Sequence, residues 1–179
     1  LIELKNEVVI IAKVDDHPNI EFLPFSREEL VLILPPGHRL ADKDSIGFEQ
    51  FAEEPIIMKD SGSGTRRLVD DLFSSKGLMP NILMETGDAE IIKLLVQHGE
   101  GISFLVKEAV AVELREEKLI AVPLKKDAIF LDVTIAYLKN QPLSPPAQAF
   151  LNSLRKLGTK KIRFEGMGAL MTKMLSEGK

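Results

Sequence analysis

The chain has 179 residues, 45% of them hydrophobic, which suits one ordinary domain or two small lobes with a real core. The formal charge is −4, and because residues 158–179 hold five basic and two acidic side chains, residues 1–157 carry −7, which is a poor surface for nucleic acid. Absence of Cys excludes disulfides, thiolate chemistry and Cys-based metal sites, and His17, His38 and His98 stand too far apart for a metal-ligand spacing.

Residues 8–14 read as a strand, and 15–19 form a turn cluster of Asp, His, Pro and Asn. Residues 20–25 alternate loosely as a short strand closed by Pro24. Residues 30–34 form the strongest strand, nearly all apolar, as in a parallel-rich sheet covered on both faces. Pro35, Pro36, Gly37 and His38 end it. Residues 44–51 predict a short helix or turn docked by Phe48 and Phe51, followed by a strand at 55–58. A helix over 65–76 places Leu68, Val69, Leu72 and Phe73 on one face, with Gly77 as C-terminal cap and Pro80 just beyond.

Residues 81–85 are a strand, Asp88 is an N-cap for a helix over 88–98, and 102–106 is a strand. A helix over 107–116, a strand over 118–124 and a mixed strand over 129–138 follow. Ser144 as N-cap with Pro145 at the first helical position opens a last helix carrying Phe150, Leu151, Leu154 and Leu157. The alternation between 55 and 124 predicts an α/β sheet with right-handed crossovers. Residues 1–36 and 118–157 are assigned to lobe one, 37–117 to lobe two and 158–179 to a C-terminal extension. In that extension Met167, Leu170, Met171, Met174 and Leu175 recur at helical spacing, and a disordered tail is the plain alternative. Two crossings between lobes make a hinged pair with a ligand cleft.

The best functional signal is Ser61-Gly62-Ser63-Gly64-Thr65, directly after the strand at 55–58 and at the start of a helix. Such a turn leaves backbone N–H groups free to hold an anion or a carboxylate. No Gly-Lys-Ser/Thr follows, so it is not a P-loop.

Several stretches together resemble LysR-type transcriptional regulators. These are residues 29–41 (ELVLILPPGHRLA), the turn 61–66, residues 90–96 with 99–102, Ala109, Val110, Glu113 and Leu114, and residues 143–151. The likeness runs over roughly 7–156. It implies a two-lobed, periplasmic-binding-protein-like (type 2) α/β effector domain that binds a small metabolite between its lobes, works as a dimer or tetramer, and reaches DNA through a helix-turn-helix. Against that pattern the chain has no helix-turn-helix and no linker helix, and lobe one is incomplete, lacking its first strand, helix and strand. A start at Leu1, close to an apolar run, also reads as a piece of a longer protein.

The expected effector is a carboxylate or other anion, held by Ser61, Gly62, Ser63, Gly64 and Thr65, with ordinary helix capping as the alternative. Lys59 and Asp60 lie at the same cleft edge. Gly101, Ile102 and Ser103 are further candidates, with a tight turn as the alternative. Arg66 or Arg67 reaches either a ligand, a partner subunit or solvent. No catalytic residue, cofactor or metal is expected. The competing class is a solute-binding protein of a transport system, which predicts a signal peptide or lipid anchor. Neither is seen, nor is a run of 18 apolar residues, so a cytoplasmic protein without a membrane partner is expected.

Overall fold

The computed structural model describes residues 1–159, apart from residues 4, 14, 126 and 127. The expected amphipathic stretch after Thr159 therefore lies outside the described residues. Among the described residues, seven strands and four α-helices follow in chain order: β1 Val8–Ala12, β2 Ile20–Leu34, β3 Ile56–Met58, α1 Gly64–Ser75, β4 Ile82–Glu85, α2 Ala89–Gln97, β5 Ser103–Val106, α3 Ala111–Arg115, β6 Ile120–Val122, β7 Ile129–Leu138 and α4 Pro145–Thr159.

The first surprise is β2. Sequence patterning predicts two strands, yet one strand of 15 residues runs from Ile20 to Leu34. Its first two thirds pair antiparallel with β7, from Ile20 opposite Leu138 to Leu30 opposite Ile129. The polar stretch Ser26–Glu29 hides the strand because backbone pairing, not side-chain burial, holds it there. Pro24 cannot donate to a ladder, and the register shifts between Pro24 and Ser26, the usual setting for a strand proline.

Residues 30–34 also differ from the parallel-rich sheet that their apolar run predicts. Leu30–Leu34 is covered on both faces, as its apolar run implies, but it pairs antiparallel with β5 on one edge and β6 on the other. The alternation of a strand sorts its side chains into two cores. Leu32 and Leu34 join Phe48, Phe51, Phe73 and Phe104. Val31 and Ile33 join Ile57, Ile92, Val96 and Leu105. β3 and β4 form a parallel pair joined across α1, and a parallel bridge from Ile56 to Ile102 connects them to the start of β5. The expected helix at 107–116 is instead a 3-10 turn, Lys107–Val110, followed by the short α3.

α4 covers the opposite end of the molecule. Leu151 and Leu154 pack with Ile135 against Val8, Ile10, Leu23 and Phe25 of the β1-β7-β2 ribbon. Its start is tied down by Glu7, whose carboxylate accepts from the Ser144 N–H and hydroxyl at 2.7 Å each. Those bonds favour the ionised carboxylate and lower the Glu7 pKa.

Candidate functional site

The turn at 61–65 is built in two steps. The Ser63 N–H donates to the Asp60 carbonyl at 3.1 Å, closing a four-residue turn whose third residue, Gly62, has φ +95°. That backbone conformation is the reason for glycine at this position. Ser63 then caps α1, its hydroxyl accepting from the Arg66 N–H at 3.1 Å. An α-helix cannot satisfy its first amides internally, so the Gly64 and Thr65 N–H groups remain the open donors of the turn. The capping alternative is thus realised at Ser63, and the first two amides of α1 have no partner within the helix. Ser61 and Gly62 are exposed, while Thr65 is buried at 9% exposure.

Two neighbours that sequence patterning does not flag face this helix end. A methyl group on Gly64 would stand 2.3 Å from the Ala12 Cβ and 2.9 Å from Leu131 Cδ1. The first residue of α1 is therefore pressed against the end of β1 and against β7. Beside the contact lies a cavity of about 200 Å³, lined by Lys13, Gly64, Arg67, Phe130, Leu131 and Asp132 among others. A wider depression of about 480 Å³ is lined by Leu1, Ile2, Glu3, Lys5, Asn6, Ile11 and Ile20, none of them in the turn.

Lys59 and Asp60 are engaged with the second strand-to-helix turn. The Lys59 ammonium donates to the Gly87 carbonyl, and the Asp60 carboxylate lies where a Gly87 side chain would be. That second turn is self-satisfied. The Asp88 N–H donates to the Thr86 hydroxyl at 3.2 Å, and the Asp88 carboxylate caps α2 by accepting from the Glu90 N–H at 2.8 Å.

The two arginines separate clearly. Arg66 is only 14% exposed and is clamped by Asp70 at 2.9 Å and Glu85 at 2.8 Å, joining α1 to β4. The Glu85 hydrogen bond is the main reason its pKa is raised; burial opposes it and Asp70 adds to the rise. Arg67 points the other way, toward the β1–β2 turn.

Gly101, Ile102 and Ser103 spend their contacts on β3. A methyl group on Gly101 would meet the Pro55 carbonyl oxygen at 2.5 Å. Ile102 donates to that carbonyl and accepts from the Ile57 N–H, both at 2.9 Å, and the Ser103 hydroxyl donates to the Ile57 carbonyl at 2.6 Å. Both side chains are fully buried. Close approach is the reason for Gly101, and the approaching group is a strand rather than an open cleft. Because backbone cannot move aside cheaply, Gly101→Ala is expected to cost about 1–3 kcal/mol. Urea unfolding checks this as a lower midpoint at unchanged slope.

The Gly64 and Thr65 N–H groups at the start of α1 are donors of the kind that can hold an anion. The site assembles no nucleophile–base pair around Ser63. Each imidazole is occupied locally: His17 Nδ1 by the Asn19 N–H, His38 by Glu54 at 3.7 Å, and His98 Nδ1 by the Leu94 carbonyl at 2.7 Å. Among the described residues no group of three or more His, Asp or Glu could hold a metal ion, and no helix is long and apolar enough to cross a membrane.

Residues 3–158 match the family model for the LysR substrate binding domain. The chain belongs to that family. It is 33% identical over 149 residues to the HTH-type transcriptional activator CmpR of Synechocystis sp., an alignment covering 83% of this chain and 49% of CmpR. It is 28% identical over 144 residues to a RuBisCO operon transcriptional regulator of Allochromatium vinosum, covering 80% and 48%. The chain thus spans about half the length of the curated relatives it matches. Among solved structures, the effector binding domain of QuiR in complex with shikimate aligns with a TM-score of 0.80 at 29% identity, covering 90% of this chain and 76% of that one. The regulatory domain of CcmR from Synechocystis PCC6803 in complex with 2-PG aligns with a TM-score of 0.80 at 27% identity, covering 89% and 76%. The LysR effector domain has the type 2 periplasmic-binding-protein-like fold and is a regulatory, non-catalytic module.

Proposed function

We propose that this LysR-family domain senses a small anionic metabolite, a carboxylate or phosphate ester, at the N-terminus of α1. The backbone N–H groups of Gly64 and Thr65 and the hydroxyls of Ser61 and Thr65 donate to the anion. Gly62 and Ser63 shape the turn, Lys59 and Asp60 brace its rim, and Gly101, Ile102 and Ser103 back it from the neighbouring strand. The observation that carries the reading is the likeness to QuiR and CcmR domains whose structures hold shikimate and 2-PG.

In the longer regulator, occupancy changes how an oligomer sits on DNA through a helix-turn-helix domain. Support for self-association comes from exposed apolar side chains. Leu83 and Met84 on strand β4, with Ile91 and Leu94 on α2, are exposed by 56%, 42%, 41% and 54%. Burial of such side chains between two copies stabilises a dimer.

The site is tested by a thermal-shift panel of small carboxylates and phosphate esters on the full-length protein. Ser61→Ala and Thr65→Val are expected to weaken the best anion about tenfold or more, since a hydrogen bond to a charged group is worth about 1.5–3 kcal/mol. An undiminished shift in both variants sinks the proposed site.

A further inference from the structure

We infer that the Asp15–Asp16 turn is a tethered competitor for the anion, holding the two cations beside the α1 N-terminus until an effector displaces it. The inference rests on the site proposed above and names its regulation.

Four observations carry it. The Asp15 carboxylate grips Arg67 with both oxygens, at 3.2 Å to Nη1 and 3.4 Å to Nη2, across 52 residues of chain. The next residue, Asp16, holds the Lys13 ammonium at 3.1 Å. Lys13 and Arg67 are also the two basic residues lining the 200 Å³ cavity beside Gly64. Finally, Arg66 cannot substitute, because Asp70 and Glu85 already clamp it in a largely buried joint.

A carboxylate tethered this way acts as a ligand at high local concentration and lowers the apparent affinity of any free anion needing the same cation. The hold is weak by construction. The Arg67 and Asp15 side chains are 47% and 77% exposed, so solvent screens the pair. Its release should therefore change anion affinity by about two- to fivefold, a tuning effect rather than a block. A dianion gains more than a single carboxylate at Arg67 and Lys13 and displaces the turn, so occupancy is reported at the β1–β2 connection.

The test titrates inorganic phosphate into the isotope-labelled 179-residue chain at low ionic strength. The Gly64 and Thr65 amide resonances report occupancy, and the Arg67 side-chain resonance reports release of Asp15. Asp15→Asn is expected to tighten phosphate about two- to fivefold, and Arg67→Gln in the same chain to abolish that gain. Asp132→Asn removes an acid from the same cavity wall without touching Arg67 and should leave affinity near that of the unaltered chain. Phosphate shifts at Gly64 and Thr65 with no gain from Asp15→Asn overturn the competitor and leave the anion site standing. An equal gain from Asp132→Asn also overturns it, reducing the effect to general charge. No shift at Gly64 or Thr65 in any of these chains overturns both the site and the inference.

Discussion

Phe51→Ala should cost about 3–5 kcal/mol, the loss typical of removing a buried phenyl ring. Phe51 is fully buried. Its ring meets Phe48, Phe104 and Phe73 edge-on, with centroids at 5.2, 5.8 and 6.1 Å. These partners come from a 3-10 turn at Phe48–Gln50, from β5 and from α1, so one ring ties α1 to the sheet beneath it. Edge-to-face pairs add about 0.5–1.5 kcal/mol beyond the area they bury. Against a total of about 5–15 kcal/mol for a domain, the loss is a large share. Chemical unfolding measures it directly. A cost below about 1 kcal/mol would mean the cluster refills around the gap, contrary to close packing at this site.

Lys93→Ala should be comparably severe, at about 3–5 kcal/mol, for an electrostatic reason. The Lys93 side chain is 9% exposed and pairs at 2.7 Å with Glu113, itself 15% exposed, linking α2 to α3. Removing the lysine strands a carboxylate whose Oε2 already lacks a partner. The double change Lys93→Met with Glu113→Leu removes both charges and is expected to restore most of the loss, because desolvation offsets most of the pair's Coulomb gain. A double variant as unstable as the single one would show that the pair's attraction outweighs its desolvation cost.

The same pair sets a pH window. Burial pushes the Lys93 pKa down, but the hydrogen bonds it donates to Glu113 and Glu90 win and it ends up raised. A raised amine contributes stability below its unfolded value of about 10.4, and that contribution is lost as pH rises through the folded value. Burial pushes Glu113 up, but the Lys93 hydrogen bond wins and its pKa ends up lowered. Its contribution is present above the unfolded value of about 4.3 and is lost as pH falls through the folded one. Glu108 acts with the opposite sign. Burial, and after it repulsion from Glu28, raises its pKa, so its cost is present at neutral pH and is relieved in acid. The Lys93 variant is therefore expected to lose less stability as pH rises from 7 to 11 than the unaltered chain, and unfolding measured across that range checks it.

Most element types were legible because their signals are local. Ser63, Asp88 and Ser144 each sit at the helix start that their residue type favours. Gly77 follows α1 with both bonds of a Schellman turn, from Gly77 to Ser74 and from Leu78 to Phe73. What stayed hidden depends on distant partners. Continuity of β2 through Ser26–Glu29 comes from β7, about a hundred residues away. The division between Arg66 and Arg67 had one readable sign, Asp70 four residues beyond Arg66, a spacing at which helical side chains pair. Glu85 and Asp15, which complete that division, are not local. Ala12, Lys13 and Leu131 reach the site only because β1 and β7 run side by side. For Gly101, patterning leaves ligand approach and tight turn equally open; the Pro55 carbonyl is a third answer that needs the register of β3.

An effector held at the α1 N-terminus would be seen most directly in a crystal structure of the full-length protein with the anion that stabilises it most. The anionic group is expected within hydrogen-bond distance of the Gly64 and Thr65 N–H groups, with Arg67 released from Asp15. An anion seated elsewhere, with these amides untouched, overturns the proposed site.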